Sequence, residues 1–156
     1  MKTLVVYDSK FGNTEKLARV IGEELEALGP VQVRPVGSAH LRLAEAMDLL
    51  VVGGPTEFHG MTPEMRVFTE AVGTTRARIR ATAFDTRYRM STLLTGSAAA
   101  RIARRLRRLG LTLIAPPESF FVTREGEPRL EDGEIERARE WATSISANVL
   151  SPTPSR

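Results

Sequence analysis

Short apolar runs rich in β-branched residues alternate along this chain with longer segments whose apolar residues recur every three to four positions. No other feature narrows the fold as much. A strand buried on both faces reads as a continuous apolar run, and parallel neighbours need a helical crossover between them. "TLVVYD" is the first such run, followed by "NTEKLARVIGEELEALG", where Leu17, Val20, Ile21, Leu25 and Leu28 keep helical spacing until Gly29–Pro30 ends it. "VQVRPV" and "DLLVVGGP" read as the second and third strands, the latter ending in a glycine turn. "TPEMRVFTEAV" reads as a helix with Thr62 as N-cap and Pro63 at its first position. "ATAFDT" is a fourth strand, "SAAARIARRLRRLG" a helix, and "GEIERAREWATSISANVL" the last helix. "LTLIA" and "SFFV" together make a fifth strand interrupted by Pro116–Pro117. The order is β-α-β-β-α-β-α-β-α, with the crossover at Gly37–Ala46 only partly readable as helix. The expected architecture is an α/β domain over residues 1–150, with a parallel sheet covered on both faces and a polar, proline-interrupted tail at 151–156 expected to be disordered.

Composition bounds the chemistry. With 156 residues, 42% of them hydrophobic, the chain suits one core and one active surface. It has no cysteine, so thiol catalysis and thiolate metal sites are excluded, and the two histidines, His40 and His59, do not predict a metal centre. Redox chemistry therefore requires a bound cofactor. The N-terminus shows no charged leader with an apolar h-region, and no apolar run approaches the ~18 residues of a membrane span, so a cytoplasmic location is expected. Net charge is +3, and Lys2, Lys10 and Lys16 are the only lysines among 22 basic residues. Arginine concentrates in "TRARIR" (75–80) and "RIARRLRRLG" (101–110). Ile102, Ala103, Leu106 and Leu109 keep an apolar stripe on the second segment, which favours a solvated helix face over nucleic-acid binding.

The loops at the carboxyl ends of the strands carry the functional signal, because open parallel sheets bind ligands there. The first is "SKFGNT". Ser9 and Thr14 supply hydroxyls, Asn13 an amide, and Gly12 permits positive φ, so successive N–H groups can curl around an anion facing the next helix. The same residues also suit a plain strand-to-helix turn capped by Asn13 or Thr14. Neither G-x-x-x-x-G-K-[ST] nor G-x-G-x-x-G follows the first strand, which disfavours nucleoside triphosphates and dinucleotides. The second loop, "GGPTEFHGMTP", and the third, "DTRYRMST", each bring an aromatic. A phosphate cradle beside two aromatic-bearing loops describes a site for flavin mononucleotide (FMN).

With those loops in view, the whole chain resembles a short-chain flavodoxin. "VVYDSKFGNTEKLA" resembles that family's phosphate loop, "GGPTEFHG" its second loop, and "DTRY" its third. The resemblance implies a flavodoxin-like five-stranded doubly wound sheet of order 2-1-3-4-5 in three α/β/α layers. It assigns Ser9, Lys10, Phe11, Gly12, Asn13 and Thr14 to the FMN phosphate, Thr56 to the phosphate or ribityl chain, and Phe58 or His59 to the ring. It matches Asp85 to the acidic position of the third loop and Tyr88 to the stacking tyrosine. Pro55, Glu57, Gly60, Thr86 and Arg87 complete the cofactor-binding set. The turn at Glu57–Gly60 is the place where a backbone group would hydrogen-bond the ring, and Gly60 would make its reorientation sterically easy. Lys10 and Phe11 stand where the family carries small hydroxyl or glycine residues, and the second loop lacks tryptophan; Trp141, in the last helix, reads as a packing residue.

The implied function is electron transfer through FMN to a redox partner protein or a small-molecule acceptor. An FMN-dependent NAD(P)H:quinone reductase or a protoporphyrinogen oxidase-like enzyme would use the same fold, with His59 a candidate proton donor. A response-regulator receiver needs paired acids after the first strand and an aspartate ending the third; here Asp8 stands alone and the third strand ends in Gly53-Gly54. A flavin-free module binding through its arginine-rich face is the remaining alternative.

Overall fold

The computed structural model describes residues 1–74 and 78–151. Residues 75–77, part of the first arginine run, and 152–156, most of the predicted tail, lie outside them. Strands β1 (Thr3–Tyr7), β2 (Val31–Pro35), β3 (Leu49–Pro55) and β4 (Arg80–Tyr88) form one parallel sheet in the order β2-β1-β3-β4. On the far edge, β5 (Thr112–Leu113) pairs with Arg80–Ala81 and β6 (Glu118–Val122) pairs with Phe84–Tyr88. These are two halves of one edge strand. The break falls at Pro116–Pro117, whose nitrogens carry no N–H for the ladder. The strand order is therefore 2-1-3-4-5, as the flavodoxin resemblance implies.

Side-chain alternation along the strands builds two cores. Leu4 and Val6 of β1 face the same side as Leu50 and Val52 of β3; Val5, Tyr7, Leu49 and Val51 face the other. The first side is covered by helices α2 (Leu41–Glu45), α3 (Pro63–Val72) and α5 (Ala98–Arg108). The second is covered by α1 (Asn13–Leu25) and α6 (Glu134–Leu150). There, Phe84, Phe120 and Trp141 form a cluster of edge-to-face rings with centroids 6.1–6.3 Å apart, which confirms Trp141 as a packing residue.

The partly readable crossover is a 3₁₀ turn at Val36–Ser38 followed by the five-residue α2. A second short helix, α4 (Thr92–Thr95), precedes α5 and has no apolar periodicity by which to find it. Thr62 caps α3 as predicted: its hydroxyl accepts from Met65 N–H at 3.3 Å, with Pro63 in the first turn. Among the described residues, no helix is long and apolar enough to cross a membrane.

Candidate functional site

The loops leaving β1, β3 and β4 converge on a cleft of about 220 Å³. Its first wall is Ser9, Lys10, Phe11, Asn13 and Thr14. The second loop contributes Pro55, Thr56 and Glu57, and the end of β4 contributes Thr86, Arg87 and Tyr88. Of the predicted positions, Gly12, Phe58, His59, Gly60 and Asp85 do not line it. Two lining residues escaped the sequence reading: Val122, at the end of β6, and Pro128, in the loop after it. Their location, beyond another strand's carboxyl end, is the signal that would have found them.

The first loop turns at Gly12, which occupies the N-cap position of α1 at φ 84°, a conformation costly for any residue with a Cβ. Asn13 and Thr14 do not cap the helix. The Asn13 amide donates to the carbonyl of Pro128 at 2.8 Å, and the Thr14 hydroxyl shares a 2.9 Å bond with that of Thr86. Both side chains thus tie the first loop to its neighbours. Ser9 Oγ accepts from the N–H groups of Gly12 (3.1 Å) and Glu15 (3.4 Å), drawing the loop into a tight curl. Among the described residues, nothing takes up the N–H groups of Lys10, Phe11, Asn13 or Thr14. The anion-seeking elements are therefore backbone N–H groups at a helix start, together with the Lys10 ammonium.

Lys10 Nζ lies 2.6 Å from Glu57 Oε1, joining the first and second loops. Hydrogen bonding and charge attraction from Glu57 raise the Lys10 ammonium above its ordinary pKa of 10.5, so it is a cation at any physiological pH. The second loop then makes a two-residue turn. Glu57 and Gly60 exchange backbone hydrogen bonds of 2.8 and 2.7 Å, and both tip residues, Phe58 (φ 45°) and His59 (φ 66°), are left-handed. Such turns favour Asn and Gly, so two side chains with a Cβ here hold backbone strain. The Phe58 ring is 99% exposed at the tip. The strained residues are thus 58 and 59, whereas Gly60 leaves room for another chain segment: a Cβ there would sit 3.0 Å from Arg101 Cδ.

Asp85 is fully buried, and its Oδ2 accepts from the hydroxyls of Thr56 (3.1 Å) and Ser97 (2.7 Å) and from Ala99 N–H (2.9 Å). Thr56 in turn accepts from Ala98 N–H at 2.9 Å. The third-loop carboxylate thereby fastens the second loop to the start of α5. Arg87 is equally committed. Its guanidinium donates to Ser119 Oγ, the carbonyls of Tyr88 and Met90, and Thr95 Oγ1, and it stacks 5.0 Å from the Phe121 centroid. Tyr88 keeps its ring in the cleft, 39% exposed.

No family model and no curated protein matches the sequence. Solved structures do match. A flavodoxin from the domain Archaea aligns over 97% of this chain and all of its own, with a TM-score of 0.77 and 24% identity. Flavodoxin 1 from Bacillus cereus aligns over 94% of this chain and 98% of its own at a TM-score of 0.79 and 17% identity. The rubredoxin oxygen:oxidoreductase of Desulfovibrio gigas matches 96% of this chain with 37% of its own, at a TM-score of 0.73 and 20% identity. The chain has the flavodoxin-like fold.

Proposed function

We propose that the cleft binds FMN and that the chain passes electrons through it. The observation that carries this reading is convergence: an anion-seeking turn and a partly exposed tyrosine line one cleft at the sheet's carboxyl edge. The donor set fits a phosphate, since unpaired N–H groups, Ser9 and Lys10 meet at the start of α1. Bound there, FMN supplies the redox chemistry that no side chain of a cysteine-free protein provides. The protein's part is to hold and tune. Tyr88 offers a flat apolar face for the ring, and the Thr14–Thr86 and Thr56–Asp85 bonds fix the three loops relative to one another.

Electron transfer to a partner is favoured over turnover of a small substrate because Phe58 and Tyr88 are open to solvent, so a docking protein reaches the ring's edge. The solved flavodoxins that share the fold support FMN as the cofactor. The test is the visible spectrum of the purified protein before and after adding FMN, with any flavin released by acid and identified. Flavin bands and released FMN are expected, with no catalytic consumption of NAD(P)H in the presence of a quinone. A protein that stays colourless and leaves FMN free in solution overturns the proposal, and rapid NAD(P)H oxidation replaces the carrier reading with an enzyme.

A further inference from the structure

A second depression, of about 730 Å³, lies between α3 and α5 and shares Glu57, Phe58 and Gly60 with the second loop. Five arginines line it: Arg66 from α3 and Arg101, Arg104, Arg105 and Arg108 from α5. Among the described residues, only Arg105 has an acidic partner, Glu70 at 2.5 Å. The four on α5 stand three or four residues apart, so like charges face each other along the helix and oppose its formation. The favourable field of the helix C-terminus explains Arg105, Arg107 and Arg108 but not Arg101, which lies near the positive end. Arg101 is exposed, with its side chain close to Gly60, where an added Cβ would sit 3.0 Å from Arg101 Cδ. Met61, Pro63 and Leu109 add apolar surface, and the exposed Phe58 ring stands at the rim.

We infer that this groove is a binding site for a small molecule carrying at least two phosphate groups and a flat ring, a nucleoside diphosphate being the simplest member of the class. Guanidinium forks match phosphate oxygens in geometry as well as charge. Several unneutralised arginines in one concavity call for more than one negative charge. The volume lies within the range of small-molecule sites, about 300–1,000 Å³, whereas protein partners meet flatter surfaces. Phe58 supplies a face on which a ring can stack. The inference does not depend on the flavin reading, because none of the groove's arginines lines the first cleft.

Isothermal titration of the full chain with inorganic pyrophosphate, ADP and adenosine tests it. Pyrophosphate and ADP are expected to bind saturably, more weakly as salt rises, while adenosine gives no saturable heat. Replacing both Arg104→Ser and Arg108→Ser should weaken both anions by about tenfold or more, since each loses charge-assisted hydrogen bonds. Arg107→Ser, on the same helix but outside the groove, should change neither. Phe58→Ser should weaken ADP and leave pyrophosphate unchanged. The inference is overturned by absence of saturable binding, by binding indifferent to Arg104 and Arg108, or by binding weakened about tenfold by Gly12→Val, which would place the anion in the first cleft. Arginine-dependent binding of an oligoglutamate peptide without binding of pyrophosphate would overturn it in favour of an acidic protein partner.

Discussion

Gly12 sets the direction of the N–H groups that start α1, and at φ 84° a β-branched side chain is strained. Gly12→Val should therefore weaken FMN binding by about tenfold, from a strain of roughly 1–2 kcal/mol, with the far-ultraviolet circular dichroism unchanged. A quenching titration of flavin fluorescence reads this directly; unchanged affinity would remove the turn from the site. Lys10 yields a pH prediction. Its folded pKa is raised by Glu57, so the pair's contribution is complete below the ordinary lysine value of 10.5 and is lost only as pH rises beyond it. FMN affinity should then show no lysine-linked break between about pH 7 and 9.5, and a titration falling off in that interval would contradict the pairing. The first loop was readable because Ser9, Gly12, Asn13 and Thr14 gather hydroxyl, glycine and amide groups at one strand end, although the same residues also suit a capped turn. The partners of Asn13 and Lys10 were not, since Pro128 and Glu57 are brought near only by the folded sheet.

Among the elements, the junction between β4 and α5 is fastened by a single carboxylate. Removing it by Asp85→Ala leaves two hydroxyls and an N–H without their acceptor and should cost about 1–3 kcal/mol in urea denaturation. A loss under about 1 kcal/mol would show that the clamp is dispensable. Trp141→Ala should detach α6 from the Phe84 and Phe120 rings and lower stability by about 3–5 kcal/mol in the same experiment. Element type was legible wherever burial imposed a period: α1, α3, α5 and α6 each show an apolar face, and the two prolines announced the break between β5 and β6. The short α2 and α4 bury almost nothing, so no period marks them. Asp85 illustrates the limit in another way. Its position matches an acidic site of the family, yet burial turns its side chain toward the start of α5 rather than the cleft.

For the whole molecule, chain order and topology place β1 between β2 and β3, so the loops of β1, β3 and β4 must share one edge of the sheet. That is why a function was legible at all: the edge where strand order reverses is where ligands bind in this architecture. The arginine groove was not legible as a groove, because Arg66 joins the α5 arginines only through the packing of α3 beside α5. Its positive field favours placing electrons on a flavin held nearby. The midpoint potential of the FMN-loaded protein should accordingly fall as salt is raised from about 0.01 M to about 1 M, where the screening length shrinks from roughly 30 to 3 Å. A rise would mean that acidic groups dominate at the ring. The central claim, that the first loop grips a phosphate, is tested most directly by titrating the protein with FMN and with riboflavin, which lacks that group. Much tighter binding of FMN is predicted, and equal affinity for the two would contradict it.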